Sequence, residues 1–248
     1  MILLSDIINF AHRGAAGHYP ENTMLAFTKA LELGATGIET DVQMTRDGQL
    51  ILIHDETLQR TAGTPEWVKD LTLAEIKQRE AGSWFHEDFA GERIPTLEEL
   101  LDLVRGTDTI VNIELKTGVV LYPGIEQKVL DTVRSYGLSE RIIISSFNHY
   151  SLAECKRLAP DIRTGILYME GLYEPWDYAK RIGAEALHAY QYALTPELVA
   201  LAKANGVVYH PFTVNDPKVM QALIRAGVAG IITDFPDRLA ELLAKQGA

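Results

Sequence analysis

Short β-branched runs alternate with amphipathic stretches along nearly the whole chain. The runs "IINFAH" (7–12), "GIETDVQM" (37–44), "LILIH" (50–54), "TIVNIELK" (109–116), "RIIISSF" (141–147), "RTGILYM" (163–169), "EALHAY" (185–190), "VVYHPFTV" (207–214) and "GIITD" (230–234) read as strands. Helical periodicity covers 22–34, 96–105, 124–136, 148–159, 175–182, 195–205, 216–226 and 236–244. Asn22, Thr195 before Pro196 and Asp216 before Pro217 mark helix starts. Such alternation predicts parallel βα units.

Nine strands are one more than a closed (β/α)8 barrel holds. The surplus is absorbed at "MTRDGQL", where Asp47-Gly48 supplies a two-residue hairpin turn, so 50–54 must run antiparallel to 39–44. Eight parallel strands remain, which predicts an α/β fold, a (β/α)8 TIM barrel. In that hairpin His54 falls opposite Asp41, with both side chains on one face. Residues 55–95 break the repeat. They are too long for a barrel loop and contain the helical patch "TLAEIKQRE", so they read as a small insertion on the catalytic face. Trp84 and Phe85 are expected to fill that insertion's own core rather than wall a pocket. Without a linker or low-complexity stretch, the expectation is one domain over 1–248 with 55–95 inserted in it.

Composition narrows the function classes. The chain has 248 residues, 47% hydrophobic and 23% charged, enough for a full core without disulfides or metals as staples. A formal net charge of −11 argues against a nucleic-acid partner, and an anionic ligand would need a local positive site. The lone Cys155, in "SLAECKRLA", reads as a small buried side chain. "MILLSDIINF" is apolar but lacks a basic region and a cleavage site, and no apolar run approaches the ~20 residues that span a bilayer. A cytoplasmic protein without integral membrane association is expected; the sequence does not specify its oligomeric state.

In such a barrel, chemistry sits at the carboxyl ends of strands. His12 and Arg13 end the first strand; Glu39 and Asp41, two apart, share a side of the second; Asn112, Glu114 and Lys116 share a face of the third. Taken singly, each histidine reads as a structural, hydrogen-bonded residue. Together with the hairpin that returns His54, they converge on one mouth. Three carboxylates there repel one another and want a cation, and oxygen donors without cysteine suit Mg2+ or Ca2+. Glu21 reads as an orienter of Arg13, and Asn22 as a helix cap. His18 lies in the loop of the first motif; His86 and His149 read as surface or structural; His188 and His210 stay unassigned. Phe147, Tyr168 and Phe212 sit near strand ends, as walls or as packing. Lys116 opens a rival reading, a Schiff-base aldolase-type lyase, which Glu114 on the same face disfavours.

The ordered series "AHRG" with "PENT", "IETDVQMTRDGQLILIHD", "NIELK", "SSFN", "FTVN" and "ITDFPD" resembles the glycerophosphodiester phosphodiesterases over about residues 10 to 240. That resemblance implies a TIM barrel with an insertion after "HD". It also implies His12 and His54 as general acid and base, Glu39, Asp41 and Glu114 as ligands of one divalent cation, and Arg13 and Lys116 as phosphate contacts. The implied substrate is a small molecule, a glycerophosphodiester such as glycerophosphocholine or glycerophosphoethanolamine, cleaved to glycerol 3-phosphate and an alcohol. Phe212 stands where many members carry Trp or Tyr before "TVN", keeping an aromatic wall for the substrate. The nucleophile is water or the glycerol 2-hydroxyl; similarity to phosphatidylinositol-specific phospholipases favours the hydroxyl and a cyclic phosphate. The alternative within phosphodiesterases is a lysophospholipase D, which needs an apolar groove. A non-enzymatic phosphate-ester binder would have no use for two intact histidines.

Overall fold

A computed structural model describes residues 7–246; the first six residues of the apolar opening and the last two of the chain lie outside the described residues. The elements run β1 (Ile8–His12), α1 (Met24–Glu32), β2 (Gly37–Met44), β3 (Leu50–Leu52), α2 (Gln59–Ala62), α3 (Leu73–Ile76), α4 (Leu97–Val104), β4 (Ile110–Leu115), α5 (Ile125–Ser135), β5 (Ile142–Ser146), α6 (His149–Leu158), β6 (Arg163–Tyr168), α7 (Pro175–Ile182), β7 (Ala186–Ala189), α8 (Pro196–Ala204), β8 (Val208–Tyr209), α9 (Pro217–Ala226), β9 (Gly230–Thr233) and α10 (Pro236–Gln246).

Eight strands pair in parallel in the order β8-β7-β6-β5-β4-β2-β1-β9, and β3 alone pairs antiparallel, on β2. This is the TIM barrel that the strand count predicts. The strand expected over 207–214 shrinks to Val208–Tyr209, because Pro211 has no N–H to give a ladder. The ring still closes there: Ala229 N donates to Tyr209 O, Ile232 N to Pro211 O and Val214 N to Ile232 O. Helices cover the barrel with one apolar stripe each. On α4, Leu97, Leu100, Leu101 and Val104 are buried at helical spacing, each large side chain contributing about 1.5–3 kcal/mol of burial. Inside the ring, Phe10, Ile143 and Ile232 plug the barrel below its mouth. Among the described residues, no helix is long and apolar enough to cross a membrane.

The β2–β3 hairpin departs from expectation by one residue. Thr45 N donates to Gln49 O, so the loop is Arg46-Asp47-Gly48, with Gly48 left-handed at φ 77°. A three-residue turn closed by a left-handed glycine replaces the two-residue turn. Val42 therefore faces Leu52, and β3 ends before His54, so His54 is not the cross-strand partner of Asp41. It reaches the mouth by another route. The buried Gln43 amide donates to the carbonyls of Ile53, His54 and Asp55, bending the chain as it leaves the strand. Tyr122 Oη in turn donates to the Gln43 carbonyl oxygen at 2.8 Å.

Leu58, Val68, Leu71, Ile76, Ala81 and Ile94, all after His54, build a separate apolar cluster with Ile51 and Ile53 before it. Trp84 and Phe85 do not belong to it, contrary to expectation. Trp84 is 39% exposed, pinned by its indole N–H to Ala81 O, and Phe85 packs edge-on against it. The cap of α1 is also corrected: Thr23, not Asn22, accepts from Ala26 N. Thr195 and Asp216 cap α8 and α9 as read.

Candidate active site

The carboxyl ends of the strands surround a pocket of about 230 Å³ lined by His12, Arg13, Glu39, His54, Asn112 and Glu114 on its polar side. Phe147, Leu167, Met169, Phe212 and Ile232 form its apolar side, with Thr213 between. The parallel register explains the convergence: His12 is level with Glu39, Glu39 with Asn112, and Asp41 with Glu114.

Each histidine is held by a carboxylate on the same ring atom. His12 Nδ1 lies 2.7 Å from Asp234 Oδ1, and His54 Nδ1 lies 2.7 Å from Asp55 Oδ1. Both carboxyls sit below their ordinary range. Burial alone would raise Asp234, but its bonds to His12 and Asn215 outweigh that, and the Arg60 guanidinium holds Asp55 at about 2. An ionised carboxylate only accepts, so Nδ1 of each ring carries the proton and Nε2 is left to exchange one. Burial pushes the His54 imidazole below its usual value, opposed by Asp41 and aided by Arg13 and Lys116.

Arg13 takes a left-handed backbone, φ 55°, where its N–H reaches Glu39 O at 2.9 Å. Gly14 follows at φ 83°, and a Cβ there would lie 2.6 Å from the Ala26 backbone. That close approach requires glycine. The guanidinium donates to Glu21 at 2.8 Å and lies 3.3 Å from Asp41. Burial would lower its pKa, but Asp41, Glu21 and Glu39 more than offset this and keep it a cation.

Glu39, Asp41 and Glu114 are buried, and one oxygen of each lies within 4.8 Å of the others. Burial, then mutual repulsion, drives Glu39 well above the usual carboxylate range and Glu114 up to about 7. Asp41 goes the other way. Burial would raise it, yet Arg13, Lys116 and His54 together pull it down. Lys116 donates to Glu114 at 2.9 Å, and the two carboxylates hold it protonated despite burial. Asp41 Oδ1 is buried without a hydrogen-bond partner, while Asn22 donates to Asp41 Oδ2 at 2.9 Å. A vacant acceptor among three converging carboxylates, all hard oxygen donors, fits a divalent cation.

A family model for the glycerophosphoryl diester phosphodiesterases matches residues 12–238. The chain belongs to this family. A glycerophosphodiester phosphodiesterase of Caldanaerobacter subterraneus subsp. tengcongensis is 53% identical over 96% of this chain and 98% of its own. One from Bacillus altitudinis is 44% identical over 94% and 96%. Among solved structures, the glycerophosphodiester phosphodiesterase of Agrobacterium tumefaciens str. C58 superposes with a TM-score of 0.81 at 30% identity, covering 94% and 98%. An Oleispira antarctica phosphodiesterase in complex with the product sn-glycerol-3-phosphate gives 0.85 at 28% identity, covering 95% and 96%.

In this glycerophosphodiester phosphodiesterase, several site residues escaped the sequence. Asn22 read as a cap but buttresses Asp41 and accepts from Thr40 Oγ1 at 2.8 Å. Asp234 and Asn215 lie in motifs that carried the resemblance, yet only folding shows that Asn215 donates to Asp234, which holds His12. Arg60 carried no signal beyond its charge. Other candidates fall away from the pocket. His18 pairs with Asp237 on the rim, and His86 is exposed. His149 is bound to Leu167 O and Tyr178 Oη. Tyr168 faces the outer core, against Tyr209 Oη, whereas Phe147 and Phe212 meet edge-on at 6.0 Å within the apolar wall. His188 and His210 are buried inside the barrel, 3.1 Å apart. Cys155 is buried too, its thiol pushed up to about 12 by desolvation. A thiol so held is inert.

Proposed function

We propose that this phosphodiesterase hydrolyses glycerophosphodiesters of small alcohols, such as glycerophosphocholine or glycerophosphoethanolamine, to sn-glycerol 3-phosphate and the alcohol. One divalent cation, Mg2+ or Ca2+, would be held by Glu39, Asp41 and Glu114, and its chemistry would be to neutralise phosphate charge. His12 and His54 are the acid–base pair, Arg13 and Lys116 hold the phosphate, and Phe212 walls the substrate. The observation that carries the reading is the matched pair His12–Asp234 and His54–Asp55, both facing one pocket beside the carboxylate triad. The sn-glycerol-3-phosphate held by the Oleispira relative supports the product.

Attack at phosphorus builds negative charge on the non-bridging oxygens, which two fixed cations stabilise. One imidazole Nε2 takes the proton of the attacking hydroxyl, and the other gives a proton to the departing alkoxide. With the glycerol 2-hydroxyl as nucleophile, the alcohol leaves first and water then opens a cyclic phosphate. Cyclic glycerophosphate should therefore accumulate transiently in rapid-quench single turnovers, and its absence at every quench time would exclude that route.

Lys116 does not suit the lyase reading, because Glu114 and Asp41 keep it an ammonium rather than a nucleophilic amine. A lysophospholipase D remains the second reading, favoured by the apolar pocket flank, where Phe147 and Met169 are 43% and 46% exposed. The same proposal takes the chain as one catalytic domain with 55–95 as an insertion, supported by the separate apolar cluster that its residues form with Ile51 and Ile53. A cytoplasmic location belongs to it as well, and cell fractionation tests it. The deciding experiment is a panel of glycerophosphodiesters against lysophospholipids, with chelation and metal add-back. Faster turnover of lysophospholipids would replace the first reading by the second.

A further inference from the structure

We propose that Arg60 is a positioning residue of the reaction: one guanidinium, outside the pocket, that fixes His54 and Arg13 relative to each other. The inference rests on the roles given above to those two residues. Arg60 lies on α2, beyond the pocket lining. Its Nε and Nη2 donate to Asp55 Oδ2 and Oδ1 at 2.8 and 3.0 Å, while Nη1 and Nη2 donate to Glu21 Oε2 and Oε1 at 2.6 and 2.8 Å. Both carboxylates are therefore held by two-point forks from the same planar group.

Each carboxylate is also the partner of a pocket residue. Asp55 Oδ1 holds His54 Nδ1 at 2.7 Å, and Glu21 Oε1 holds Arg13 Nη1 at 2.8 Å. An unbroken chain of charged bonds thus runs His54–Asp55–Arg60–Glu21–Arg13. The half-exposed Trp84 ring lies over the guanidinium, its centroid 5.6 Å from Cζ, within cation–π range. Arg60 is itself 39% exposed, so these pairs add little to global stability. Their effect is geometric. Lysine, a point charge on a flexible stem, cannot form two forks at once.

The test compares Arg60→Ala and Arg60→Lys with wild type in steady-state kinetics on glycerophosphocholine, with ¹⁵N NMR of the His54 ring as a readout that needs no turnover. Arg60→Ala should lower kcat by roughly 10- to 100-fold, the scale of a small misplacement of reacting groups, and raise KM through Arg13. Arg60→Lys should stay impaired. Millimolar methylguanidinium should restore part of the Arg60→Ala rate and none of the Arg60→Lys rate. The His54 nitrogen shifts should move from one Nδ1–H tautomer toward a mixture. Wild-type kinetics in Arg60→Ala, or a rate loss with unchanged His54 shifts, overturns the proposal. If Arg60→Ala fails to fold by circular dichroism, Arg60→Gln takes its place in the kinetic and NMR comparisons, without the rescue. Should wild-type protein turn over no glycerophosphodiester, the functional reading fails, and the His54 shifts still decide the role of Arg60.

Discussion

The Asn22 side chain donates to Asp41 Oδ2 at 2.9 Å from a left-handed backbone, φ 53°, that few residues other than asparagine and glycine adopt readily. This bond occupies Asp41 Oδ2 and leaves Oδ1 buried without a hydrogen-bond partner in a carboxylate that clusters with Glu39 and Glu114, so Asn22 helps to set the orientation of that carboxylate. Partners of metal-binding carboxylates set affinity through such orientation. Asn22→Ala should therefore weaken Mg2+ or Ca2+ binding by about 10- to 100-fold in titration calorimetry. Unchanged affinity would reduce Asn22 to a loop residue.

His12→Ala and His54→Ala should each slow turnover by roughly 10²–10⁴-fold, the usual worth of an acid–base group. Asp234→Asn is the sharper probe of the two supports. An amide can offer its N–H to His12 Nδ1, which then loses its proton to Nε2, so the wrong nitrogen faces the substrate. Turnover should drop by at least about tenfold with an unchanged circular dichroism spectrum. Near-wild-type turnover in His12→Ala or His54→Ala removes that histidine from the mechanism.

Chelation should abolish activity, and add-back of a divalent cation should restore it. Glu114, raised to about 7 by burial and by Asp41, carries a proton for part of the time near neutrality when no cation is present. A cation must displace that proton, so apparent affinity should fall as pH drops through 7. Proton release appears as a calorimetric heat that varies with buffer ionisation enthalpy. Full activity after demonstrated metal removal would refute the ligand assignment.

The buried His188–His210 pair predicts a pH-dependent stability separate from catalysis. Desolvation lowers His210 to about 3 and His188 well below its ordinary 6.5. Unfolded, both rings bind protons below about 6.5; folded, they do not. The unfolded state therefore gains protons as pH falls, and stability is lost from 6.5 downward toward the folded values, by up to about 1.4 kcal/mol per pH unit for each ring. The raised Glu39 and Glu114 act in the opposite direction over the same range but are common to wild type and His188→Asn. Urea unfolding at pH 7 and pH 5 should therefore show a loss of stability on acidification that is smaller in His188→Asn than in wild type. Equal slopes in the two proteins would count against the neutral buried pair.

Strand number and direction were legible because alternation survives in every βα unit, and the ionic residues were legible because strand ends collect them. What escaped was set by backbone detail. One extra residue in the Arg46-Asp47-Gly48 turn shifts the β3 register, so pairing arithmetic gave His54 a neighbour it lacks. It reached the mouth nonetheless, through three side-chain bonds from Gln43. Asn22 was hidden by the neighbouring Thr23, because both residue types suit a cap and only the local φ separates them. Asp234 and Arg60 were hidden by distance. Nothing in a single chain records that residue 234 touches residue 12, or that residue 60 bridges residues 21 and 55.

The bond from His12 to Asp234 spans 222 positions of sequence. Synthesis from the N-terminus produces the proposed acid–base group His12 near the beginning and the carboxylate that holds it, Asp234, near the end. A nascent or cleaved chain lacking β9 would own His12, Arg13, the three acidic residues and His54, and still have an unaligned ring. On the proposed mechanism, full catalytic competence would arrive only when the last strand docks against the first and brings Asp234 to His12.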